Sequence, residues 1–274
     1  MRKLYDTILY ILLWLAALVT VGILVGIVGF IFYKGIGLIN WKFIISDYSP
    51  SGVGGIWPMI ITTIYTIVIS LLIATPIGIL AAVYLQEYAK QGRLVRTIRF
   101  ATESLTGIPS IIYGLFGAVF FVTTLKMGMS IIAASLTLTI MVLPVIIRTT
   151  EEALKTVPQS YREGSLALGT TKLQTLLKVI LPSAMPGILS GIILSMGRII
   201  GESAAIFLTA GTVAAMPESI FSSARTLTVH AYLVTQEAGD IELAAAIGVV
   251  LIVIILALNL TASWISKKLN KADY

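Results

Sequence analysis

Apolar residues run through this chain in long unbroken stretches, and the polar residues gather between them. A helix needs roughly 20 apolar residues to cross about 30 Å of hydrocarbon. Six segments meet that length: residues 7–33, 57–86, 100–125, 130–147, 183–210 and 241–265. The pattern predicts an all-α, polytopic integral membrane protein of about six transmembrane helices. The first run is too long for the apolar core of a signal peptide, and no small-residue cleavage site closes it, so it is expected to persist as a helix.

The charges orient these spans. With the N-terminus inside, fourteen Lys and Arg residues fall in inner segments: Arg2, Lys3, Lys90, Arg93, Arg96, Arg99, Arg148, Lys155, Arg162, Lys172, Lys178, Lys267, Lys268 and Lys271. Only Lys34, Lys42, Lys126 and Arg225 fall outside, and Arg198 lies within a span. This asymmetry follows the positive-inside rule and places both termini in the cytoplasm. It also accounts for the net charge of +6 without any nucleic-acid partner. Trp41 and Trp57 stand where interfacial aromatics belong.

Composition narrows the chemistry. Charged residues make up 12%, against about a quarter in a soluble domain, and mean hydropathy is +0.98. There is no cysteine, which excludes disulfide and thiolate chemistry. A single histidine, His230, has no ligand partners in sequence and makes no metal site. No cofactor motif is present, and no inverted repeat is evident. The outer segment around His230 is long and broken by Pro217; it accommodates either a short surface helix or a plain loop.

The longest inner segment, residues 148–182, exceeds what a connector needs. Pro158 opens a first helix, "QSYREGSLAL", and Gly169 suits its C-terminal end. Thr170 or Thr171 caps a second, in which Leu173, Leu176, Leu177 and Ile180 form one apolar face. Pro182 marks the start of the fifth span. Such a pair suits either docking to a partner or packing on its own spans.

The spacing here resembles the EAA loop of ABC-importer permeases: a glutamate, two small residues, three of any kind, a glycine, nine more, an aliphatic residue, one more, then Leu-Pro. The matching positions are Glu163, Gly164, Ser165, Gly169, Val179, Leu181 and Pro182, with Gly164 and Ser165 in place of alanines and Val179 in place of isoleucine. Three further stretches, "TPIGILAAVYLQEYA" (75–89), "TGIPSIIYGLFG" (106–117) and "GRIIGESAAIFLTAG" (197–211), are similar to phosphate-importer permeases, and more to the PstA than to the PstC branch. Ser203-Ala204-Ala205 replaces that family's Thr-Ala-Pro.

The resemblance implies the type I ABC-importer permease fold, in the cytoplasmic membrane of a prokaryote. It implies a second, PstC-like permease, a dimer of PstB-like ATPase subunits, and a PstS-like extracytoplasmic phosphate-binding protein, with inorganic phosphate as substrate. ATP-driven closure of the ATPases would tilt the spans through a coupling helix, whose residues here are Arg162, Glu163, Gly164, Ser165, Leu168 and Gly169. The chain has no G-x-x-x-x-G-K-[ST] phosphate loop, so it is no enzyme itself, and hydrolysis falls to the partners. Residues 1–54 then form a first helix and outer loop, 55–266 the permease core, and 267–274 a cytoplasmic tail.

Two charges inside an apolar run are the candidate pathway residues. Arg198 and Glu202 are four apart and are expected to share a helix face. Arginine offers a fork of donors that matches phosphate oxygens and is never deprotonated. For Glu202 three roles stand open: it neutralises Arg198, it accepts a proton-bearing phosphate while repelling sulfate, or it fixes the helix to a neighbour. Ser203, Gly107 and Pro109 complete the candidates. At "GIPS", Pro109 removes a helical hydrogen bond and Gly107 loosens the turn. That kink either frees backbone N–H groups towards an anion or serves packing, with Gly107, Gly114 and Gly117 allowing close helix contact.

Three lesser expectations complete the sequence picture. Arg99 and Glu103 are expected to pair near the inner interface, Arg148 to anchor the fourth span to headgroups, and Thr62, Thr63 and Thr66 to bond their own helix. Alternatives to phosphate within the same class are sulfate, molybdate or an amino acid. From other classes come an ion-coupled secondary transporter, using Glu202 as a proton relay, and a non-transporting scaffold.

Overall fold

A computed structural model describes the backbone of residues 2–49 and 54–271, and the side chains of residues 5–49 and 54–264. Residues 50–53 of the outer loop, the last three residues, and the side chains of the basic residues counted at both ends lie outside this description. The described residues form helices and loops, with no strand among them. The ten principal helices are α1 (Arg2–Gly35), α2 (Trp57–Tyr88), α3 (Arg93–Thr106), α4 (Ser110–Thr124), α5 (Ile131–Thr156), α6 (Gln159–Ala167), α7 (Lys172–Ile200), α8 (Ala204–Thr209), α9 (Leu227–Leu233) and α10 (Ile241–Lys271).

Helices α2 and α5 form the centre. In lipid no hydrophobic force drives helices together, so small residues and hydrogen bonds hold them. The Ser70 hydroxyl donates to the Ser135 carbonyl at 3.1 Å, and the Thr139 hydroxyl to the Ser70 carbonyl at 3.3 Å. Leu138, Met141 and Ile146 of α5 pack with Ile199 of α7 and Ile206 of α8 into one buried core. A second cluster, with Phe43, Ile56, Met59, Leu227 and Ile247, closes the end where α2 begins. A third, with Val83, Leu154, Val157, Leu176 and Ile180, closes the opposite end, beside the turn between α6 and α7. Helix α1 stands apart: its apolar stretch buries nothing within this chain, and Gly35 rests on the backbone of Ala245 and Ala246 in α10.

Two predicted spans are built differently. Residues 100–125 are not one helix: α3 and α4 meet at 101°. Proline lacks an N–H and disfavours helical backbone in the residue before it, so Pro109 ends the run through Ile108. Gly107 closes α3, and Pro109 leads into α4. Helix α3 is amphipathic, with Leu94, Ile98 and Leu105 exposed along one stripe. Five helices among the described residues are long and apolar enough to cross a membrane, or six if the bent α3–α4 pair counts as one span.

The fifth run is likewise divided and displaced. Helix α7 starts at Lys172, well before the predicted residue 183, and stops at Ile200, where Gly201, Glu202 and Ser203 leave the helix before α8. The fourth span extends past residue 147 to Thr156. The outer segment does hold a short helix, α9, capped by the Thr226 hydroxyl. Thr62, Thr63 and Thr66 bond their own helix as expected, and the Thr63 hydroxyl also accepts the Leu227 N–H at 3.0 Å.

Of the three glycines expected to bring helices together, two do so. A Cβ at Gly114 would stand 2.8 Å from the Ala205 Cα, and one at Gly117 would overlap Thr137 and Thr209. Gly107 meets only its own helix. Replacing Gly117 by leucine is therefore expected to cost about 1–3 kcal/mol through overpacking. Thermal unfolding in detergent checks this; an unchanged midpoint would mean that α4, α5 and α8 do not approach so closely.

Candidate functional site

The two helix breaks lie side by side. Tyr113, in the first turn of α4, donates its hydroxyl to the Leu105 carbonyl at 2.7 Å, bridging the 101° bend. The Arg198 guanidinium lies within electrostatic reach of the same phenol. Gly114, one residue on, meets Ala205 and Ala204 of α8, just after the second break. Tyr113 and Gly114 on one side and Ala204 and Ala205 on the other thus bring the two breaks together.

The two charges do not share a helix face. Helix α7 ends at Ile200, so Glu202 lies beyond it. No ion pair joins Arg198 to Glu202 among the described residues. Instead each charge occupies a helix end of suitable polarity. Arg198 lies in the last turn of α7, where the backbone dipole is negative. Glu202, 8% exposed, accepts the Ala205 N–H at 3.0 Å at the start of α8, where the dipole is positive. The expectation of a helical i, i+4 pair fails because the helix ends at Ile200, and residues 201–203 form an irregular turn between the two. Arg198 is half-buried, with its guanidinium unclaimed by any carboxylate of the described residues.

The backbone at the first break offers little to an anion. The Gly107 N–H donates to Ser104 at 3.2 Å and the Ile108 N–H to Leu105 at 3.3 Å, so both are spent within α3. Gly107 and Pro109 are exposed on the surface of the subunit, and Ser203 is half-buried.

At the far end of α2, residues 157–175 take shape as a helix and a tight turn. Pro158 precedes α6 and Gly169 follows it with φ +83°, the left-handed geometry glycine favours. Thr171 caps α7, and the Gln174 side chain reaches back to the Thr171 N–H. The second helix of the loop is not separate: it is the start of α7 and runs straight into the membrane span. Its predicted apolar face divides, with Leu176 and Ile180 buried while Leu173 and Leu177 face outward. Ser165, Thr170 and Thr175 close a triangle of hydroxyls at 2.8, 3.0 and 2.9 Å, which fixes the turn between α6 and α7. Leu168 is 87% exposed, beside exposed Tyr161, Glu163 and Leu166, while Arg162 turns inward.

Charges on α3 and α5 pair across the two helices and, for Arg148 and Glu152, within α5. Arg99 bonds Glu151 at 3.0 Å, and Arg148 bonds Glu103 and Glu152, each at 3.2 Å. The expected Arg99–Glu103 pair is absent, and Arg148 is held by carboxylates. These groups line a cavity of about 220 Å³ between α3 and α5.

Sequence reasoning also missed Tyr113, Thr228, Glu87 and the cluster around His230. Only "GIPSIIYG" and "LQEYA" carried a signal for the first and third. His230, 1% exposed on α9, sets its ring edge-on to Tyr48 at 5.4 Å, and the Arg225 guanidinium covers the other side of the cluster, 4.6 Å from the Tyr48 ring. Burial, with the Arg225 charge adding to it, lowers the imidazole to about 3. A depressed histidine stabilises the fold above the ordinary value near 6.5, and that stability is lost as pH falls from there towards the folded value. His230→Phe, which cannot titrate, is expected to flatten that acid-side loss in melts of the detergent-solubilised protein. An identical acid dependence in both proteins would overturn the assignment.

Comparison with known proteins agrees with this architecture. Residues 74–271 match the family described as "Binding-protein-dependent transport system inner membrane component". The chain is 35% identical to "Probable ABC transporter permease protein YqgI" of Bacillus subtilis, over 98% of each chain. It is also 35% identical to "Phosphate transport system permease protein PstA 1" of Mycobacterium tuberculosis, over 77% of this chain and 70% of that one. Among solved structures it superposes on a bacterial ABC transporter that imports the acidic polysaccharide alginate, with TM-score 0.66 at 16% identity over 97% and 99% of the two chains. The MetNI methionine ABC transporter, inward facing, gives TM-score 0.60 at 22% identity over 78% and 94%. The fold is that of type I ABC-importer permeases. The chain belongs to the family of binding-protein-dependent transport permeases.

Proposed function

We propose that this subunit forms half of the pathway of an ATP-driven importer of inorganic phosphate. The observation that carries the proposal is Arg198: a half-buried guanidinium at the junction of two helix breaks, with its nearest carboxylate in sequence committed to a helix cap. A charge so placed at membrane depth marks a pathway, and the fork of donors matches a tetrahedral oxyanion. The PstA-named relatives support the same solute. Family membership leaves the ion-coupled carrier and the inert scaffold without support. A different solute of the same class is the remaining competitor, favoured by the alginate and methionine systems among the structural neighbours.

In this proposal a second, PstC-like permease completes the pathway, a PstB-like ATPase dimer docks on α6 around Leu168, Glu163 and Gly164, and a PstS-like binding protein delivers the anion at the opposite end. Arg198 holds the phosphate oxygens in transit. Glu202 keeps one oxygen on the Ala205 N–H and presents its remaining charge to the passing anion. Phosphate near neutral pH still carries a proton to share with that carboxylate, and sulfate does not, so Glu202 discriminates between them.

The test is uptake by the four-component complex in proteoliposomes containing ATP. Arg198→Lys keeps the charge but loses the fork, and is expected to cut phosphate uptake by about tenfold or more, equivalent to about 1.4 kcal/mol. Undiminished uptake would remove Arg198 from the pathway. Glu202→Gln retains an acceptor for the Ala205 N–H and loses the charge. With the binding protein bypassed, it is expected to narrow the preference for phosphate over sulfate while melting at the wild-type temperature. An unaltered preference would leave Glu202 a cap only.

A further inference from the structure

One arginine ties the coupling helix to the two central spans. The Arg162 side chain is 16% exposed and points away from the outward face of α6. Its guanidinium donates to the Glu87 carboxylate at 2.9 Å, to the Leu154 carbonyl at 2.9 Å and to the Val157 carbonyl at 2.8 Å. Glu87, 11% exposed, lies in the last turn of α2, and Leu154 and Val157 lie at the end of α5. Terminal carbonyls of a helix have no partner of their own, so the guanidinium fills an existing need. A single side chain thus joins α6, α2 and α5.

The same end of α2 is gripped from two further directions. The Lys172 ammonium, at the start of α7, donates to the Glu87 carbonyl and sits 4.7 Å from the centre of the Tyr88 ring. From α3, Arg99 reaches the Leu85 carbonyl at 3.4 Å and the Gln86 side chain at 3.5 Å while holding Glu151. Residues Tyr84–Tyr88 are wound as a π-helical turn, a geometry that leaves i→i+4 bonding and is found at functional sites more often than elsewhere. Side chains from α3, α6 and α7 thus all bond to residues of this turn.

We propose that Arg162 and Glu87 form the strut that transmits displacement of the coupling helix into α2 and α5. This assigns Arg162 a positioning role within the permease and not a contact with the ATPase, and it rests on the docking of an ATPase at α6. Motion of α6 is passed on because the guanidinium is held by three acceptors at once. Loss of either partner leaves the other charge partly buried and unpaired, and the coupling helix then moves without its spans.

The assay is ATP hydrolysis by the reconstituted four-component complex, with and without binding protein loaded with inorganic phosphate. The ratio of stimulated to basal hydrolysis reads coupling across the membrane. Arg162→Gln and Glu87→Gln are each expected to keep the ATPase in the purified complex, keep basal hydrolysis, and reduce the ratio about tenfold or more. The double variant is expected to be no worse than either single one, since both remove the same interaction. Arg162→Lys should recover part of the ratio. Independent, multiplying effects of the two substitutions, a wild-type ratio in either, or release of the ATPase by Arg162→Gln would each overturn the strut. If the Arg162→Gln permease itself fails to fold, aggregating on size exclusion before any ATPase is added, Glu87→Gln carries the same prediction. Leu168→Asp serves as the separate check on docking: it should release the ATPase. Retention there would sink the docking assignment, whatever the strut variants show.

Discussion

Inside hydrocarbon a backbone N–H or C=O without a partner costs several kcal/mol, so a broken helix persists only where something else meets its freed groups. This permease has two such breaks, and side chains close both. The Tyr113 hydroxyl takes the Leu105 carbonyl at the end of α3. The Thr228 hydroxyl takes the Ile200 carbonyl at the end of α7, and the Glu202 carboxylate takes the Ala205 N–H at the start of α8. The Tyr113 and Thr228 patches come from α4 and α9, so the ends of α3 and α7 hold their shape only when those helices are packed in place, while Glu202 acts within the break itself. The fold and the candidate pathway are in that sense one construction.

The charges follow the same logic. Arg198 and Glu202 look like a neutralising pair on paper, yet each is settled by the helix end it occupies. That arrangement leaves the guanidinium without a carboxylate partner among the described residues, which a tight internal pair would not. Near the coupling segment the opposite holds. Arg99, Arg148 and Arg162 all have carboxylates from other helices, and the result is a braced end to the bundle, not a receptive one.

Local chemistry was legible in the sequence, and its outcome matches. Pro158, Gly169 and Thr171 act within a few residues of themselves, so the ends of α6 and the start of α7 were readable from spacing. The all-helical, membrane-spanning character was readable too, because hydropathy depends on composition, and five or six of the described helices are long and apolar enough to cross. Hydropathy does not register a break inside an apolar run, however, and both α3–α4 and α7–α8 were taken as single spans. Pro109 signalled the first break, though not its angle. Nothing of that kind signals the second, where Gly201 and Ser203 are ordinary residues in an apolar context. The ion pairs were misassigned for a related reason. Periodicity finds partners four residues apart, whereas Arg99 and Arg162 reach partners 52 and 75 positions away, which only the packed bundle brings near.

Helix α7 has 29 residues, from Lys172 beside the coupling turn to Ile200 beside the second break. At about 1.5 Å per residue it extends about 43 Å, with a π-helical turn at Leu176–Ile180 and Pro186 along its length. Its lower end is pinned by the hydroxyl triangle and by Lys172, and its upper end carries Arg198. A swing of only a few degrees about that pinned base moves the upper end by several ångströms, enough to make or lose a hydrogen bond. The geometry of a long lever thus turns a small angular displacement at one end of the bundle into a large one beside Arg198 and the second break.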